Sequence, residues 1–275
     1  MIHVWNSKAD ITKPAKKRAV VMTMGALHAG HAALMTAARE TVGADGEVVV
    51  TIFVNPTQFG ANEDFDKYPR TLDADLAVCE AAGVDYVFTP SVEDVYGLGD
   101  GTSALITLDP GPLGSELEGA SRPGHFRGVL TVVAKLMHMT QPAVAMFGEK
   151  DYQQLTLIRA MVTALDFPVE VIGVPTMREP DGLAMSSRNR FLSANERSAA
   201  ASIPAALFSA AATGSVQQAL ELIPTLLDPQ VVCDYAVVRG VDLDEPPSVG
   251  IARLLFAGNV GSTRLLDNVE MIINA

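Results

Sequence analysis

Residues 19–31, AVVMTMGALHAGH, join a short apolar run to the start of a helical segment. Ala19 to Thr23 predicts a first strand, and a helix is expected from about Gly30 to Val42. A strand from Glu47 to Val54 follows, with enough β-branched residues for burial on both faces. This order predicts a βαβ unit within a parallel sheet.

The same alternation continues to about Thr176 and then changes. Further elements are predicted as a helix from Thr71 to before Gly83, a strand at 86–88, a helix at 126–139, a strand at 143–147, a helix at 152–165 and a strand at 169–174. A capping box of Ser193 and Glu196 then opens an alanine-rich helix. A second helix at about 216–227 and strands at 231–238, 251–256 and 263–266 follow. We therefore expect an α/β protein, with a Rossmann-like, doubly wound parallel sheet over residues 1–176 and a smaller α+β domain over residues 177–275.

Composition restricts the partners and the compartment. The 275 residues carry a formal net charge of −12, so the surface repels nucleic acid and acidic membranes. The only cysteines, Cys79 and Cys233, lie in apolar contexts, and we expect both to be core thiols in a reducing compartment. No apolar run approaches the ~18 residues of a membrane span. These observations predict a cytoplasmic, soluble protein with no nucleic-acid or membrane partner.

The segment Met24-Gly25-Ala26-Leu27-His28-Ala29-Gly30-His31 lies where the predicted strand ends and the helix begins. In an open α/β sheet ligands bind at this edge, and the N-terminus of a helix attracts anions. Gly25 and Gly30 allow a close approach of the backbone, while His28 and His31 can both donate to a phosphate. Histidines that only cap the helix, or that bind zinc, are the alternatives, but a zinc site would need further ligands.

Two segments with polar side chains follow the next predicted elements. Asn55 and Gln58 come directly after the second strand, next to apolar Phe53 and Phe59, which suits a small polyhydroxy acid. Gln58 is favoured for binding and Asn55 for the turn, although Asn55 is kept as a candidate for substrate binding. Residues 122–128, RPGHFRG, bring basic groups to the start of a helix, where they oppose the helix dipole unless an anion lies there. A surface loop is the alternative for this segment.

Two further segments carry cations. Gly148-Glu149-Lys150-Asp151 is again at the end of a strand, and places Lys150 to meet phosphate oxygens. Residues 185–190, MSSRNR, bring hydroxyl and guanidinium groups together just after the expected domain boundary. This cluster is either a solvated loop or a phosphate clamp on a mobile segment that closes a cleft between the domains.

The His-x-Gly-His pattern resembles the signature of the nucleotidyltransferase superfamily that includes class I aminoacyl-tRNA synthetases. Taken together and in this order, the five segments closely resemble the pantothenate synthetase family over residues 19–192. The resemblance implies a carbon–nitrogen ligase that condenses (R)-pantoate with β-alanine, consumes ATP and forms AMP and pyrophosphate. It further implies a pantoyl-adenylate intermediate, Mg²⁺ and a homodimer.

The resemblance also implies roles for individual residues. His31 takes the proton-donor role and His28 assists the transferring phosphoryl group, with Lys150 as the third candidate catalytic residue. Pantoate is expected to contact Gln58 and Gln154. The residues expected to contact ATP are Met24, Gly25, Ala26, Leu27, His28, Ala29, Gly30, His31, Gly148, Glu149, Lys150, Asp151, Met177, Met185, Ser186, Ser187 and Arg188. The ligands of Mg²⁺ are not assigned, and Asp73, Asp75 and Asp151 are weak candidates.

Two other functions share part of this pattern. A nucleotidyltransferase that ends at the nucleotide adduct would share the histidine segment, but not the combination of Gln58 and Gln154 with residues 185–188. A synthetase-like module that binds tRNA would need a basic stripe, which the acidic composition disfavours.

Overall fold

The computed structural model describes residues 2–60, 65, 68–97 and 106–275. These residues belong to two compact units, which we call the large and the small unit. The large unit comprises Met1–Glu149 and Gln154–Val174, and the small unit comprises Lys150–Gln153 and Pro175–Ala275. The short segment Lys150–Gln153 therefore belongs to the small unit, although residues of the large unit flank it in the sequence.

The large unit is built on a parallel sheet. Its strands among the described residues are β1 (His3–Trp5), β2 (Arg18–Thr23), β3 (Glu47–Ile52), β4 (Tyr86–Phe88), β5 (Val144–Gly148) and β6 (Glu170–Val174). They are ordered β1-β4-β3-β2-β5-β6, and every neighbouring pair is parallel. The predicted parallel sheet is confirmed, but the prediction that Ala19 begins the first strand is wrong. β1 precedes it, and only one of its three residues is buried, so no apolar pattern marks it.

Helices cover both faces of this sheet. Among the described residues of the large unit, the helices are α1 (Ala29–Val42), α2 (Leu72–Ala81), α3 (Val92–Tyr96), α4 (Glu118–Ser121), α5 (His125–Thr140) and α6 (Tyr152–Ala164). The first two residues of α6 belong to the small unit. Val20 contributes to the core that contains residues of α5 and α6, whereas its neighbour Val21 contributes to the core that contains residues of α1 and α2. Successive strand residues point to opposite faces, so burial on both faces favours the continuous apolar run Ala19–Met22 in β2.

The strand order creates one switch point in the large unit. From β2 the chain moves outward to β3 and β4, and then returns to β5 on the other side of β2. The connection after β2 leads to β3 on one side, and the connection after β5 leads to β6 on the other, so the two connections diverge at the carboxyl ends of β2 and β5. Open α/β sheets bind ligands at such a point. Met24 and Glu149 directly follow these two strand ends.

The small unit has a different architecture. Its helices are α7 (Ala194–Ala200), α8 (Ser202–Ala211) and α9 (Val216–Leu226), and its strands β7 (Val231–Arg239), β8 (Gly250–Val260) and β9 (Thr263–Ile273) form an antiparallel sheet in that order. The predicted α+β character and the capping box of Ser193 and Glu196 are confirmed. The alanine-rich segment forms two helices that meet at Ala201, and β9 is longer than predicted because β8 and β9 pair along their whole length from the turn at Gly261.

The cysteines lie in different environments. Cys79 is fully buried, and burial, with a smaller contribution from the nearby Asp75 carboxylate, raises the pKa of its thiol to about 12. Cys233 is exposed on β7, at the edge of the small sheet, so the prediction that it is a core thiol is wrong. Within the part of the chain that the structure describes, no helix has the length and apolar character needed to cross a membrane.

An ion pair within the small unit joins Arg178, shortly after Pro175, to Asp267 in the last strand, β9. The Arg178 guanidinium donates to both carboxylate oxygens of Asp267, at 2.7 and 2.9 Å. The Asp267 side chain is only 2% exposed, whereas that of Arg178 is 19% exposed. Arg178 also donates to the carbonyl oxygens of Gly182 and Asn268, and its guanidinium lies over the Phe208 ring. The pair therefore fixes the segment after Thr176 to the sheet.

We expect Arg178→Met to lower the free energy of unfolding by roughly 3 kcal/mol, because it leaves the Asp267 carboxylate buried without its cation. Urea unfolding followed by circular dichroism measures this change. The control is Arg190→Met, which removes an exposed guanidinium from the same unit and should change stability by less than about 0.5 kcal/mol. Equal stability of the two variants would contradict the structural role of the pair.

Candidate active site

The loop between β2 and α1 turns tightly around one carboxylate. Gly25 and Ala26 both have positive φ angles, 85° and 52°. The backbone N–H groups of Ala26 and Leu27 donate to Oδ2 and Oδ1 of Asp75, at 3.1 and 2.8 Å. A Cβ at Gly25 would lie 3.0 Å from Asp75 Oδ2, so only glycine fits here without displacement. Asp75 thus holds the loop that the sequence assigns to the nucleotide.

The two histidines of this loop orient each other. Gly30 N donates to His28 Nδ1 at 3.1 Å, and His28 N donates to His31 Nδ1 at 3.3 Å, which forms a capping box at the start of α1. The ring centroids are 4.1 Å apart. Because each Nδ1 accepts a backbone N–H, the neutral form of each ring carries its proton on Nε2. Capping, one of the alternatives that the sequence left open, is therefore present, and it uses the Nδ1 atom of each ring.

Asn55 is buried in a hydrogen-bond network after β3 and is only 1% exposed. Its Oδ1 accepts from Thr57 N at 3.2 Å and from the Tyr96 hydroxyl at 2.6 Å. Its Nδ2 donates to the Gly128 carbonyl oxygen at 3.3 Å and to Gln58 Oε1 at 3.1 Å. These contacts support the interpretation of Asn55 as a turn residue. They give no support to direct substrate binding, for which it was also a candidate.

Gln58 is half-buried, and its amide has a defined orientation. Asn55 donates to its Oε1, which leaves Nε2 as the other end of the amide, 3.0 Å from the Met24 sulfur. A thioether is a weak acceptor, so this contact does not compete strongly with a ligand oxygen. The backbone oxygen of Gln58 lies 2.9 Å from His125 Nδ1, and His125 Nε2 lies 3.0 Å from the Arg122 guanidinium. Because arginine can only donate, Nε2 accepts and Nδ1–H donates to Gln58.

The basic segment 122–128 therefore lies against residues 55–58, which we call the Gln58 loop. At Gly128 a Cβ would lie 2.3 Å from the Thr57 carbonyl oxygen and 2.7 Å from Gln58 Cα, so α5 and the loop pack backbone to backbone. Arg127, in contrast, makes an exposed ion pair with Asp109 at 3.5 Å. Of the two arginines in this segment, Arg122 faces the Gln58 loop through His125, while Arg127 lies at the surface.

The segment Gly148–Asp151 is divided between the units. Gly148 and Glu149 belong to the large unit, where Gly148 ends β5. Lys150 and Asp151 belong to the small unit, where the Lys150 carbonyl oxygen accepts from Asn268 Nδ2 at 2.9 Å. Lys150 Nζ lies 3.5 Å from Asp151, a loose and partly exposed pair that leaves the ammonium able to meet another anion. Gln154, half-buried in α6, belongs to the large unit.

The segment from Met177 to Arg190 folds back on itself in the small unit. Met185 N donates to the Met177 carbonyl oxygen at 2.9 Å, which places the two methionines side by side. Ser186 then caps a short 3₁₀ turn by accepting from Arg188 N at 3.3 Å. Ser187 begins this turn, and Arg188 is exposed.

Glu179 is a residue that the sequence analysis did not select. Its carboxylate accepts from Asn189 Nδ2 at 2.6 Å and from Arg197 at 2.7 Å. Asn189 also donates to the Ala184 carbonyl oxygen at 3.1 Å, so it connects both ends of the 184–189 loop. In the sequence Glu179 lies between Arg178 and Pro180, close to a second acid, Asp181, and this local pattern does not specify its partners.

The structure does not assign ligands for Mg²⁺. Among residues 2–60, 65, 68–97 and 106–275, no three histidine, cysteine, aspartate or glutamate side chains form a potential metal cluster. Of the weak candidates, Asp75 uses both oxygens for backbone N–H groups, while Asp73 and Asp151 are exposed. Asp73 and Asp151 offer carboxylate oxygens, the type of donor that Mg²⁺ prefers.

We expect Asp75→Asn to weaken nucleotide binding, because an amide offers one oxygen where two backbone N–H groups need acceptors. Loss of one charge-assisted hydrogen bond corresponds to about 2 kcal/mol, a roughly 30-fold rise in the ATP dissociation constant. Calorimetric titration with ATP measures it. Asp45→Asn, an exposed aspartate in the same unit, is the control. ATP affinity equal to that of the unmodified chain would exclude this role for Asp75.

Comparisons with known proteins agree with the sequence motifs. A family model described as pantoate–β-alanine ligase matches residues 2–270. A pantothenate synthetase from Salinispora arenicola is 54% identical over 92% of this chain and 90% of its own length. One from Mycolicibacterium smegmatis is 50% identical over 100% of this chain and 89% of its own.

Solved structures extend the agreement to the fold. The pantothenate synthetase of Thermus thermophilus superposes with a TM-score of 0.90 at 42% identity, covering 98% of this chain and 99% of its own. The pantoate–β-alanine ligase of Francisella tularensis, crystallised with a form of ATP and β-alanine, gives a TM-score of 0.79 at 32% identity, with 98% and 97% covered. The predicted nucleotidyltransferase fold is confirmed. The chain belongs to the pantoate–β-alanine ligase family, as its five motifs indicate.

Proposed function

We propose that this chain condenses (R)-pantoate with β-alanine with consumption of ATP, and that it does so through an enzyme-bound pantoyl adenylate. The observation that carries the proposal is the pair of backbone-oriented histidines at the N-terminus of α1. A helix N-terminus and two imidazole donors in one place suit an anion that gains charge during reaction, as the phosphates of ATP do.

The first step forms the adenylate. A carboxylate oxygen of pantoate attacks the α-phosphorus of ATP, the bond from this phosphorus to the β-phosphate oxygen breaks, and pyrophosphate leaves. A carboxylate is already nucleophilic, so the step needs alignment and charge stabilisation but no catalytic triad. His28 and His31 are assigned to the phosphates, and Lys150 is assigned to the developing negative charge.

The second step forms the amide. The amine nitrogen of β-alanine, in its unprotonated form, attacks the acyl carbon of the adenylate, and the bond from this carbon to the AMP oxygen breaks. The nitrogen loses a proton and AMP leaves. Because the adenylate hydrolyses in water, we assign to residues 177–275 the role of a lid.

Binding roles follow the local geometry of each segment. Gln58 presents Nε2 in a fixed orientation and is assigned, with Gln154, to pantoate. The loop that Asp75 holds is assigned to ATP, as are Gly148–Asp151, Met177 and residues 185–188. Mg²⁺ would neutralise the phosphates of ATP and pyrophosphate, retaining water ligands.

A homodimer remains a prediction from the family resemblance. The two unpaired cysteines support the predicted cytoplasmic location.

The adenylate proposal predicts a partial reaction without β-alanine. When the chain is given ATP, pantoate and Mg²⁺ but no β-alanine, labelled pyrophosphate should exchange into ATP. Oxygen label in the pantoate carboxylate should appear partly in AMP after full turnover. A chain that forms pantothenate but shows neither result would rule out the adenylate, whereas release of a nucleotide adduct in place of AMP would support the nucleotidyltransferase alternative.

We expect His28→Ala and His31→Ala to reduce kcat much more than they raise KM for ATP or pantoate. Loss of one preorganised donor costs on the order of 3 kcal/mol of transition-state stabilisation, or about 100-fold in rate. Steady-state kinetics measure this, with His138→Ala, in the last turn of α5, as a control. Near-normal turnover of either variant would contradict the proposed roles.

A further inference from the structure

Tyr96, the last residue of α3, is connected to Gln58 through a single residue. Its hydroxyl donates to Asn55 Oδ1 at 2.6 Å, and Asn55 Nδ2 donates to Gln58 Oε1 at 3.1 Å. Tyr96 lies outside the five motifs, and its link to the Gln58 amide runs through Asn55. We propose that Tyr96 is a positioning residue for pantoate, which acts by holding Asn55 and thereby the amide of Gln58. The inference rests on the proposed function of Gln58.

The direction of each hydrogen bond in this chain is determined by backbone groups. Thr57 N can only donate, so the Asn55 atom that it meets is the oxygen, and the Gly128 carbonyl can only accept, so the other atom is the nitrogen. Gln58 must therefore turn its oxygen to Asn55 and its Nε2 away from it. Tyr96 adds the shortest hydrogen bond at the Asn55 oxygen.

The surroundings of Tyr96 keep its hydroxyl a donor in one place. Burial raises the pKa of the Tyr96 hydroxyl, and hydrogen bonds with Thr57 and Asn55 offset only part of this rise. The hydroxyl therefore retains its proton at neutral pH. Its ring contacts the Phe53 ring, with centroids 6.4 Å apart, and Lys135 Nζ lies 5.8 Å from the ring centroid. The ring is fixed by packing, so removal of the hydroxyl alone leaves the side chain in position.

The Gln58 loop is held from two sides. On the α5 side, the Gly128 carbonyl oxygen accepts from Asn55 and His125 is hydrogen-bonded to the Gln58 carbonyl oxygen. On the α3 side, Tyr96 supplies the hydrogen bond to Asn55, and its oxygen also lies 3.1 Å from Thr57 Oγ1. Without the Tyr96 hydroxyl the loop keeps its α5 contacts, and the Gln58 amide samples more orientations. Pantoate binding should weaken, while the fold and the loop between β2 and α1 that Asp75 holds remain intact.

Tyr96→Phe tests the proposal in a double-mutant cycle with Gln58→Ala. We expect Tyr96→Phe alone to raise KM for pantoate about 5- to 10-fold, the size of one neutral hydrogen bond, with KM for ATP changed less than about 2-fold. In the Gln58→Ala background the same substitution should change KM for pantoate less than about 2-fold, because the group on which Tyr96 acts is gone. Equal effects in both backgrounds, or an equal rise in KM for ATP, would refute the positioning role.

Tyr86→Phe is the matched control. Tyr86 begins β4 in the same unit, where it pairs with Val49 of β3 and its ring stacks on Trp5, whereas the Asn55 network lies beyond the carboxyl end of β3. Removal of its hydroxyl should leave both KM values unchanged. A rise in KM for pantoate in this variant as large as in Tyr96→Phe would mean that any lost tyrosine hydroxyl weakens the unit, and the specific role of Tyr96 would be abandoned.

Hydrogen exchange separates this inference from the proposed function. The Thr57 amide donates to the Asn55 oxygen that Tyr96 also binds, so its exchange, followed by NMR, should be several-fold faster in Tyr96→Phe than in the unmodified chain. Unchanged exchange would overturn the proposal without reference to activity. If the unmodified chain formed no pantothenate, the proposed function would fail, while faster exchange would still show that Tyr96 holds the loop.

Discussion

The candidate site depends on the carboxylate of Asp75 more than on any other single group. It accepts the N–H groups of Ala26 and Leu27 from a loop in which two successive residues have positive φ angles. An alanine in the left-handed region costs of order 1 kcal/mol or more, and it persists where the surroundings determine it. Here Ala26 is held in this conformation by the charge-assisted hydrogen bonds to Asp75, which is only 2% exposed. These bonds hold the loop that directly precedes His28, the N-cap of α1.

A similar arrangement recurs in two other segments that are assigned to ligands. The buried Asn55 orients the half-buried Gln58, and the Glu179 carboxylate, whose side chain is 27% exposed, holds Asn189 next to the 185–188 cluster. Even the histidines use one ring nitrogen for the backbone. Preorganisation of this kind lowers the entropy lost on binding and fixes where the donors point before a substrate arrives.

The sequence predicts the elements well and their partners poorly. Burial on both faces gives the central strands continuous apolar runs, Ala19–Met22 in β2 and Val48–Val50 in β3, so both strands were predictable to within two residues. β1 was not predictable, since a three-residue edge strand gains its stability from pairing with β4 and not from its own composition.

Helix α2 was predicted with Thr71 as its cap, yet the Thr71 hydroxyl donates to Asp75 and makes no cap hydrogen bond. In the sequence Asp75 is one of several acids in a surface helix, because its loop partners lie far away in the chain. Lys150 and Gly148 are two residues apart and belong to different units, which no local pattern reveals.

A chain with a net charge of −12 must bind a polyanion through local groups, and the described donors explain how. Imidazole and amide N–H groups, fixed by the backbone, are short-range donors that do not depend on the field of the whole protein, which salt screens beyond about 10 Å. A site that binds the ground state and the transition state equally well does not raise turnover. Oriented donors discriminate by position, because they stabilise charge only where the reacting oxygen comes to lie. The turn around Asp75 therefore holds the loop that leads into α1, and in the proposed mechanism it sets where the Nε2 donors of His28 and His31 meet the developing negative charge.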